Sequence, residues 1–269
     1  MTPVEWESHL LDTTKNAGAL VSGLAKQGDR GRTVGTGASG DTTLYADKVA
    51  EDALLGSLKE IDGVRVLSEE AGIVGEGHVL AIVDPLDGSS NFEKGIPFYC
   101  TSVAITEGDQ LGDITVGVVR DLVTGDAYSA VRGGGARKNG HAIRTSSVDV
   151  ASSAVVGVDL SRSGSDLVSR LGPLISGVKR QVHLGANALE LCFLAEGRTD
   201  AFVDIRGQIR ITDFAAAYLV AKEAGAVFSD ERGSELKPSF DLEHRFSFVA
   251  SGGESLHRQI LGLCPARGR

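Results

Sequence analysis

Cysteine is scarce: Cys100, Cys192 and Cys264 are the only three in 269 residues. An odd number without metal-ligand spacing excludes a disulfide framework and a thiolate zinc site, and predicts reduced, buried thiols in a cytoplasmic protein. Positive charge is also short, with 27 Lys and Arg against 36 Asp and Glu, a formal net charge of −9. That balance argues against a general binder of nucleic acid or of an anionic membrane. No apolar stretch reaches the roughly 20 residues that span a bilayer, FAAAYLVA at 214–221 being typical. Residues 1–27 carry scattered acids and helical periodicity instead of a basic start and an apolar block, so no signal peptide is expected. Internal repeats, low-complexity segments and a disordered tail are likewise absent from the pattern.

What the chain does have is ordinary globular composition, 42% hydrophobic and 23% charged, enough for one large domain or two. Its organising stretch is AIVDPLDGSSNF at 81–92. An apolar run ends at Asp84 and a second acid, Asp87, follows, which reads as a buried strand entering a tight turn. Pro85 holds Asp84 extended, and Gly88 permits close backbone approach. The two carboxylates, the Leu86 carbonyl and the Ser89 and Ser90 hydroxyls then converge, and like charges that close repel unless a cation sits among them. All are hard oxygen donors, suited to Mg²⁺, Mn²⁺ or Ca²⁺. The Gly88 and Ser89 amides offer an anion nest beside them. The turn thus suggests a metal-assisted phosphate site, although the same residues also build plain surface turns. An acidic chain that handles phosphate needs local positive charge, which a metal would supply.

In chain order, Leu10, Leu11, Ala17, Leu20, Val21 and Leu24 predict an amphipathic helix ending near Gly28. VGTGASGD at 34–41 matches GxGxxG but lacks a buried strand before it, which favours a mobile Gly-rich loop near the site over a dinucleotide fingerprint. A second helix is expected over 41–60, with Asp47 near its start, where the helix dipole alone favours an acid. VRVLSEEAG at 64–72 is a strand that delivers Glu69 and Glu70 to a sheet rim. Alternating segments at 99–106, 113–120 and 126–131 predict an antiparallel meander, with RGGGARKNG at 132–140 as its hairpin. Beyond about 146 the pattern becomes strand and helix alternation, giving expected regions 1–146 and 147–269. Asp213 opens the helix TDFAAAYLVAKEAGA, where it is either an N-cap or a third oxygen ligand for the 84/87 pair.

Together these residues resemble the inositol monophosphatase superfamily. Glu69 and Glu70 match its paired-glutamate motif, DPLDGSSNF its DPxDGTxNF signature, and ITDFAAAYLVAKEAGA its WDxAAGxxxxxEAGG element. GASGDTTLYADKVAED, GIPFYCTSVAI, GANALELCFLAEG and DIRGQIRITD are similar to the archaeal branch with inositol-1-monophosphatase and fructose-1,6-bisphosphatase activity. Ser89 replaces the usual threonine, and Thr212 stands where the family has tryptophan.

The resemblance implies an α+β fold, a layered αβαβα sandwich with an antiparallel sheet first and a mixed α/β region second. It implies Mg²⁺, two or three ions with Mn²⁺ as an alternative, on Glu69, Asp84, Leu86 carbonyl, Asp87 and Asp213. Glu69 and Ser89 would orient an attacking water, with Asp47 accepting the Ser89 proton; Glu70 would hold a weaker third ion or a hydrogen bond. Gly88 and Ser89 would bind the scissile phosphate beside Asp87. Gly185, Ala186, Asn187 and Asp204 would face the hydroxyls of a small-molecule phosphate ester. Arg206, then Arg180 and Lys179, are the candidates to grip a second phosphate, since a guanidinium binds phosphate bidentately. Homodimerisation is expected from the family. The alternatives are a same-fold phosphatase for a nucleotide or other sugar phosphate, and a non-catalytic metal or phosphate binder.

Overall fold

A computed structural model describes residues 1–28 and 30–264. In chain order the elements are α1 (Pro3–Gln27), β1 (Thr33–Thr36), β2 (Thr42–Leu44), α2 (Tyr45–Lys59), β3 (Val64–Ser68), β4 (Gly72–Val74), β5 (Val79–Asp87) and α3 (Ser89–Lys94). The meander follows as β6 (Cys100–Thr106), β7 (Ile114–Asp121), β8 (Ala127–Val131), β9 (Ala136–Lys138) and β10 (His141–Ile143). The remainder is β11 (Val155–Val158), α4 (Ser165–Arg170), α5 (Gly172–Gly177), β12 (Arg180–Val182), α6 (Asn187–Ala195), β13 (Ala201–Ile209), α7 (Ala215–Glu223), β14 (Val227–Ser229), β15 (Phe246–Ser251) and α8 (Glu254–Leu263). Among the described residues no helix is long and apolar enough to cross a membrane.

The five layers follow from which faces are apolar. In β5, Val79, Ala81 and Val83 join Trp6 and Leu10 of α1 and Leu54 and Leu58 of α2 in one core. The alternate residues Leu80 and Ile82 join Leu189 and Leu191 of α6 and Ala216 and Val220 of α7 in another. Both faces of the strand are buried, so its sequence reads as a continuous apolar run. The α6/α7 layer also covers Phe202 and Phe248 of the second sheet, whose other face, with Val156, Val203 and Val249, is closed by Leu171, Leu174, Leu256 and Ile260. Gly117 lets α7 approach β7, because a Cβ there would sit 2.6 Å from the Ala216 carbonyl oxygen. The αβαβα sandwich expected of the sequence is the architecture observed, and its central core is shared across residue 146.

The first sheet has eight strands in the order β10-β9-β8-β7-β6-β5-β3-β4, and the second five, β12-β11-β13-β15-β14. The first is not wholly antiparallel as expected. β3 pairs in parallel with β5, in a register that sets Ser68 beside Val83. The reason is topological: β4 turns back along the outer edge of β3, so the chain re-enters the sheet in the direction of β3. The consequence is that β3 and β5 end at the same rim.

Two local expectations change. Residues 41–60 are not one helix, since β2 pairs with β1 in a two-stranded arm and α2 begins only at Tyr45. The GxGxxG segment lies in that exposed arm and leads into a strand, not a helix, so it has no dinucleotide-binding geometry. The DPLDG segment is likewise not a plain turn: β5 runs on to Asp87 through a bulge.

Candidate active site

Glu69 and Asp84 meet because their strands are parallel neighbours. The Glu69 amide donates to the Val83 carbonyl at 3.2 Å, which places the first residue beyond β3 beside Asp84 in β5. Pro85 and Leu86 on β5 then oppose Thr101 alone on β6, with Asp84 facing Ser102 and Asp87 facing Cys100. That extra residue lets Asp84 and Asp87 escape strict alternation and serve one site. Asp84 Oδ1 accepts from the Leu86 amide at 3.0 Å, locking the bulge. Asp213, just before α7, arrives from the second region. Carboxylate oxygens of Glu69, Asp84 and Asp213 lie within 4.8 Å of one another.

Burial and crowding decide the electrostatics of this group. Glu69 and Asp84 are pushed well above the usual carboxylate range, first by burial and then by their acidic neighbours, Asp213 for Glu69 and Glu69 for Asp84. Asp87 is raised to about 8 by burial and by Asp213, against the lowering effect of the Ala188 amide. Asp213 is also raised, chiefly by burial. Hard, buried oxygens that repel one another fit a divalent cation, whose charge would reverse that repulsion. Gly88 completes the cradle: its φ of 87° is left-handed, and a Cβ there would meet Phe98 O and Ala186 Cβ, each at 3.0 Å.

A cavity of about 430 Å³ opens here, lined by Glu69, Asp84, Leu86, Asp87 and Asp213 together with Asp47, Glu70, Gly88 and Ser89. Every expected metal ligand and catalytic group therefore faces one space. Asp47 is raised to about 7 by burial, and its Oδ2 accepts from the Leu44 amide at 2.6 Å, bracing the start of α2. Among the described residues no hydrogen bond joins Ser89 to Asp47, so the expected pairing is not formed here. Glu70 accepts from the Thr43 hydroxyl.

A second cavity of about 640 Å³ adjoins the first, sharing Asp41, Gly88, Ser89, Ser90, Arg162, Arg210 and Asp213 with it. Asn187 and Gly185 line it, and Asn187 Oδ1 is buried without a hydrogen-bond partner among the described residues. Asp204 is fully buried behind Arg206 rather than on the wall. Arg206 lines the cavity, but its Nε and Nη2 donate to Asp204 at 2.9 and 2.5 Å, Nη2 also reaches Asp159 at 2.5 Å, and Nη1 donates to Ser161 O at 3.1 Å. Of five guanidinium N–H groups one is left, so the bidentate grip expected of Arg206 is not available in this arrangement. Arg180 and Lys179 lie exposed at the start of β12, while the cavity is reached beyond the end of that strand at His183 to Gly185; neither basic residue lines it.

Several site groups lacked a distinctive local pattern. Arg210 pairs with Glu69 and Asp41. Its position three residues before Asp213 was the available signal. Glu51, buried in α2, accepts from Ser68 Oγ at 2.5 Å and from the Ala71 amide at 2.8 Å, gripping both sides of the Glu69–Glu70 pair. Arg162 and Arg245 also line the second cavity.

Residues 4–267 match the Inositol monophosphatase family. A protein named fructose-1,6-bisphosphatase/inositol-1-monophosphatase from Methanothermobacter thermautotrophicus is 35% identical over 269 aligned positions, covering 95% of each chain. One of the same name from Thermococcus kodakarensis is 37% identical over 95% of this chain and 96% of its own. The solved structure of an inositol monophosphatase-fructose 1,6-bisphosphatase superposes with a TM-score of 0.85 at 30% identity, covering 96% of this chain and 99% of that one. With its acids gathered at one rim and these relatives aligned along nearly its whole length, the chain belongs to the inositol monophosphatase family.

Proposed function

We propose that the chain is a Mg²⁺-dependent phosphate monoester hydrolase acting on fructose 1,6-bisphosphate and inositol 1-phosphate. The observation that carries this reading is the meeting of Glu69, Asp84 and Asp213 within 4.8 Å, in a cavity that Asp87, Gly88 and Ser89 also line. Glu69, Asp84, the Leu86 carbonyl, Asp87 and Asp213 would hold two or three ions, with Glu70 as an outer ligand. Divalent cations bound there supply charge stabilisation to phosphoryl oxygens and lower the pKa of a coordinated water.

The chain's own groups do the rest. Gly88, left-handed and without a side chain, lets the scissile phosphate approach the Gly88 and Ser89 amides. Glu69 and Ser89 orient the attacking water for in-line displacement. Asp47, its carboxyl raised to about 7, would take the proton passed on by the Ser89 hydroxyl once substrate and metal draw the two together, since they are not hydrogen-bonded in this arrangement. Asn187, with its unpartnered Oδ1, takes a substrate hydroxyl, and the remaining Arg206 N–H takes another substrate oxygen. No covalent phosphoenzyme is required. The three free, buried cysteines suit a reducing cytoplasm, and a homodimer remains part of this reading from the family.

The test is a phosphate-release screen over sugar, inositol and nucleotide phosphates with and without Mg²⁺. Release from fructose 1,6-bisphosphate and inositol 1-phosphate only with Mg²⁺ is expected. Metal-independent release, or none from any ester, would falsify the reading.

A further inference from the structure

His183 stands on the wall of the second cavity, between two buried acids from different parts of the chain. Its Nε2 lies 3.4 Å from Asp159 Oδ1, just past β11, and its Nδ1 lies 3.0 Å from Glu190 Oε1, in α6. The acids are only 5% and 4% exposed, against 24% for the imidazole. Nδ1 is itself buried and makes no aligned hydrogen bond among the described residues, so what it offers Glu190 is charge. Ser161 Oγ lies 3.3 Å from Nε2.

Each acid holds one wall of the cavity. Asp159 Oδ1 accepts from the Ser161 amide at 2.7 Å, and its Oδ2 meets Arg206 Nη2 at 2.5 Å. These contacts fix the turn that the Ser163 amide closes on Leu160 O at 3.1 Å. Glu190 Oε1 accepts from the Leu184 and Gly185 amides, both at 3.0 Å, which sets the course of the chain into Asn187 at the start of α6. Ser161 and Arg162 line the cavity from the first wall, Gly185 and Asn187 from the second. Asp159 also has Arg206 as a partner, but among the described residues Glu190 pairs with no cation except His183.

A neutral imidazole carries one N–H and one lone pair. With an acid at each nitrogen, either tautomer turns a lone pair toward a carboxylate, and only the imidazolium suits both. The charged groups facing the ring are Glu190 from α6, Asp159 from the end of β11 and Arg206 from β13. Burial lowers the pKa of the ring, but Glu190 and then Asp159 raise it by more, against Arg206, and it stands above its ordinary value of 6.5.

We propose that His183 is a positioning residue for the substrate: as the imidazolium it ties the 159–163 turn to the 184–187 segment and sets the width of the second cavity, and as the neutral ring it releases one wall. The assignment rests on the phosphatase reading of the adjoining acid-lined cavity. The tie is complete below the ordinary histidine value and is lost as pH rises through the raised one. Substrate binding therefore weakens on the alkaline side.

Phosphate release from inositol 1-phosphate with Mg²⁺, followed from about pH 6 to about pH 9, tests this in wild type, His183→Gln and His183→Lys. Gln carries no charge at any of these values, whereas Lys keeps its charge throughout. Wild-type KM should rise by roughly fivefold to tenfold across the range, the scale of one charge-assisted contact. KM of His183→Gln should be high throughout, and that of His183→Lys low throughout. The protonation of the ester is common to the three proteins and cancels in their KM ratios. In both variants kcat should stay within about threefold of wild type, because the walls hold the substrate away from the reacting bond. A second measure does not depend on turnover: the ring's NMR resonance, the one missing from His183→Lys, should titrate above 6.5. The same pH dependence of KM in all three proteins, a loss confined to kcat, or a ring that titrates below 6.5 overturns the assignment alone. No phosphate release by the wild type at any pH overturns the site reading and the positioning role with it.

Discussion

Asp87 Oδ2 accepts a 2.7 Å hydrogen bond from the amide of Ala188, a residue 101 positions later. The donor lies in the first turn of α6, so the positive end of that helix faces a buried acid at the end of β5. Asp87 is therefore both a candidate ligand and the point where the later half of the chain is tied to the metal-binding rim. Cys100 Sγ lies 3.6 Å from the same oxygen, another fixed neighbour on the β6 side.

Replacing Asp87 by Asn should separate those two roles. The amide oxygen still accepts from Ala188, while a charge for holding cations is lost. Phosphate release should fall by roughly a thousandfold or more, with the metal-free melting temperature unchanged or raised because one mutually repelling acid is gone. Measurable turnover near wild type would contradict the assignment, and an unfolded variant would contradict the structural half of it.

Metal-free stability should fall as pH rises. Burial in the folded chain lifts Asp47 from its ordinary value of 3.8 to about 7 and Asp87 to about 8, so the folded chain holds these protons more tightly than the unfolded one. That contribution is full below the unfolded value and is lost as pH climbs through about 7 to 8. Thermal melting in a chelator should thus give a higher midpoint near pH 5 than near pH 8.5, about either side of that window. Added Mg²⁺ should close the gap at the alkaline end, since it binds the ionised set. A chelated midpoint that rises with pH through this window would show that these acids are not strained by burial.

Glu51→Ala should cost about 3 kcal/mol, because it leaves the Ser68 hydroxyl and the Ala71 amide without their buried acceptor. Activity should fall as well, since the Glu69–Glu70 turn loses its clamp. Glu51→Gln keeps an acceptor and should recover much of both. Denaturant unfolding alongside phosphate release checks this, and an Ala variant as stable as wild type would dismiss the clamp.

Arg206→Ala should destabilise the protein by about 3–5 kcal/mol, since it strands Asp204 as a buried, unpaired acid and leaves Asp159 only His183, at 3.4 Å. Both mono- and bisphosphate turnover should suffer through the loosened Ser161–Arg162 turn. Stability unchanged, with only bisphosphate turnover lost, would return Arg206 to the role of phosphate anchor.

Much of this site was legible before any coordinates. Asp84 and Asp87 stood at the end of an apolar run beside Pro85 and Gly88, Glu69 and Glu70 at the end of another, and Asp213 ahead of an Ala-rich helix. Each is a local signal in which chain geometry announces a carboxylate on a rim. Arg162 and Arg245 carried no such signal, because an arginine in a polar loop looks the same whether it faces a cavity or bulk water. Arg206 misled for a related reason. Its charge was plain in the sequence, but the acids that absorb it, Asp159 and Asp204, include one 47 positions away on another strand end.

The amino-acid order alone determined which segments end in acids, which faces are apolar, and hence a sandwich of helices and sheets with hard oxygen donors in four places. Only the tertiary structure decided that β3 and β5 run the same way, so that Glu69 and Asp84 share a rim, and which guanidinium groups retain unpaired charge. The physical reason is range. Periodicity and turn chemistry act between neighbours along the chain, whereas strand direction and the neutralisation of a charge are settled by what packs beside it.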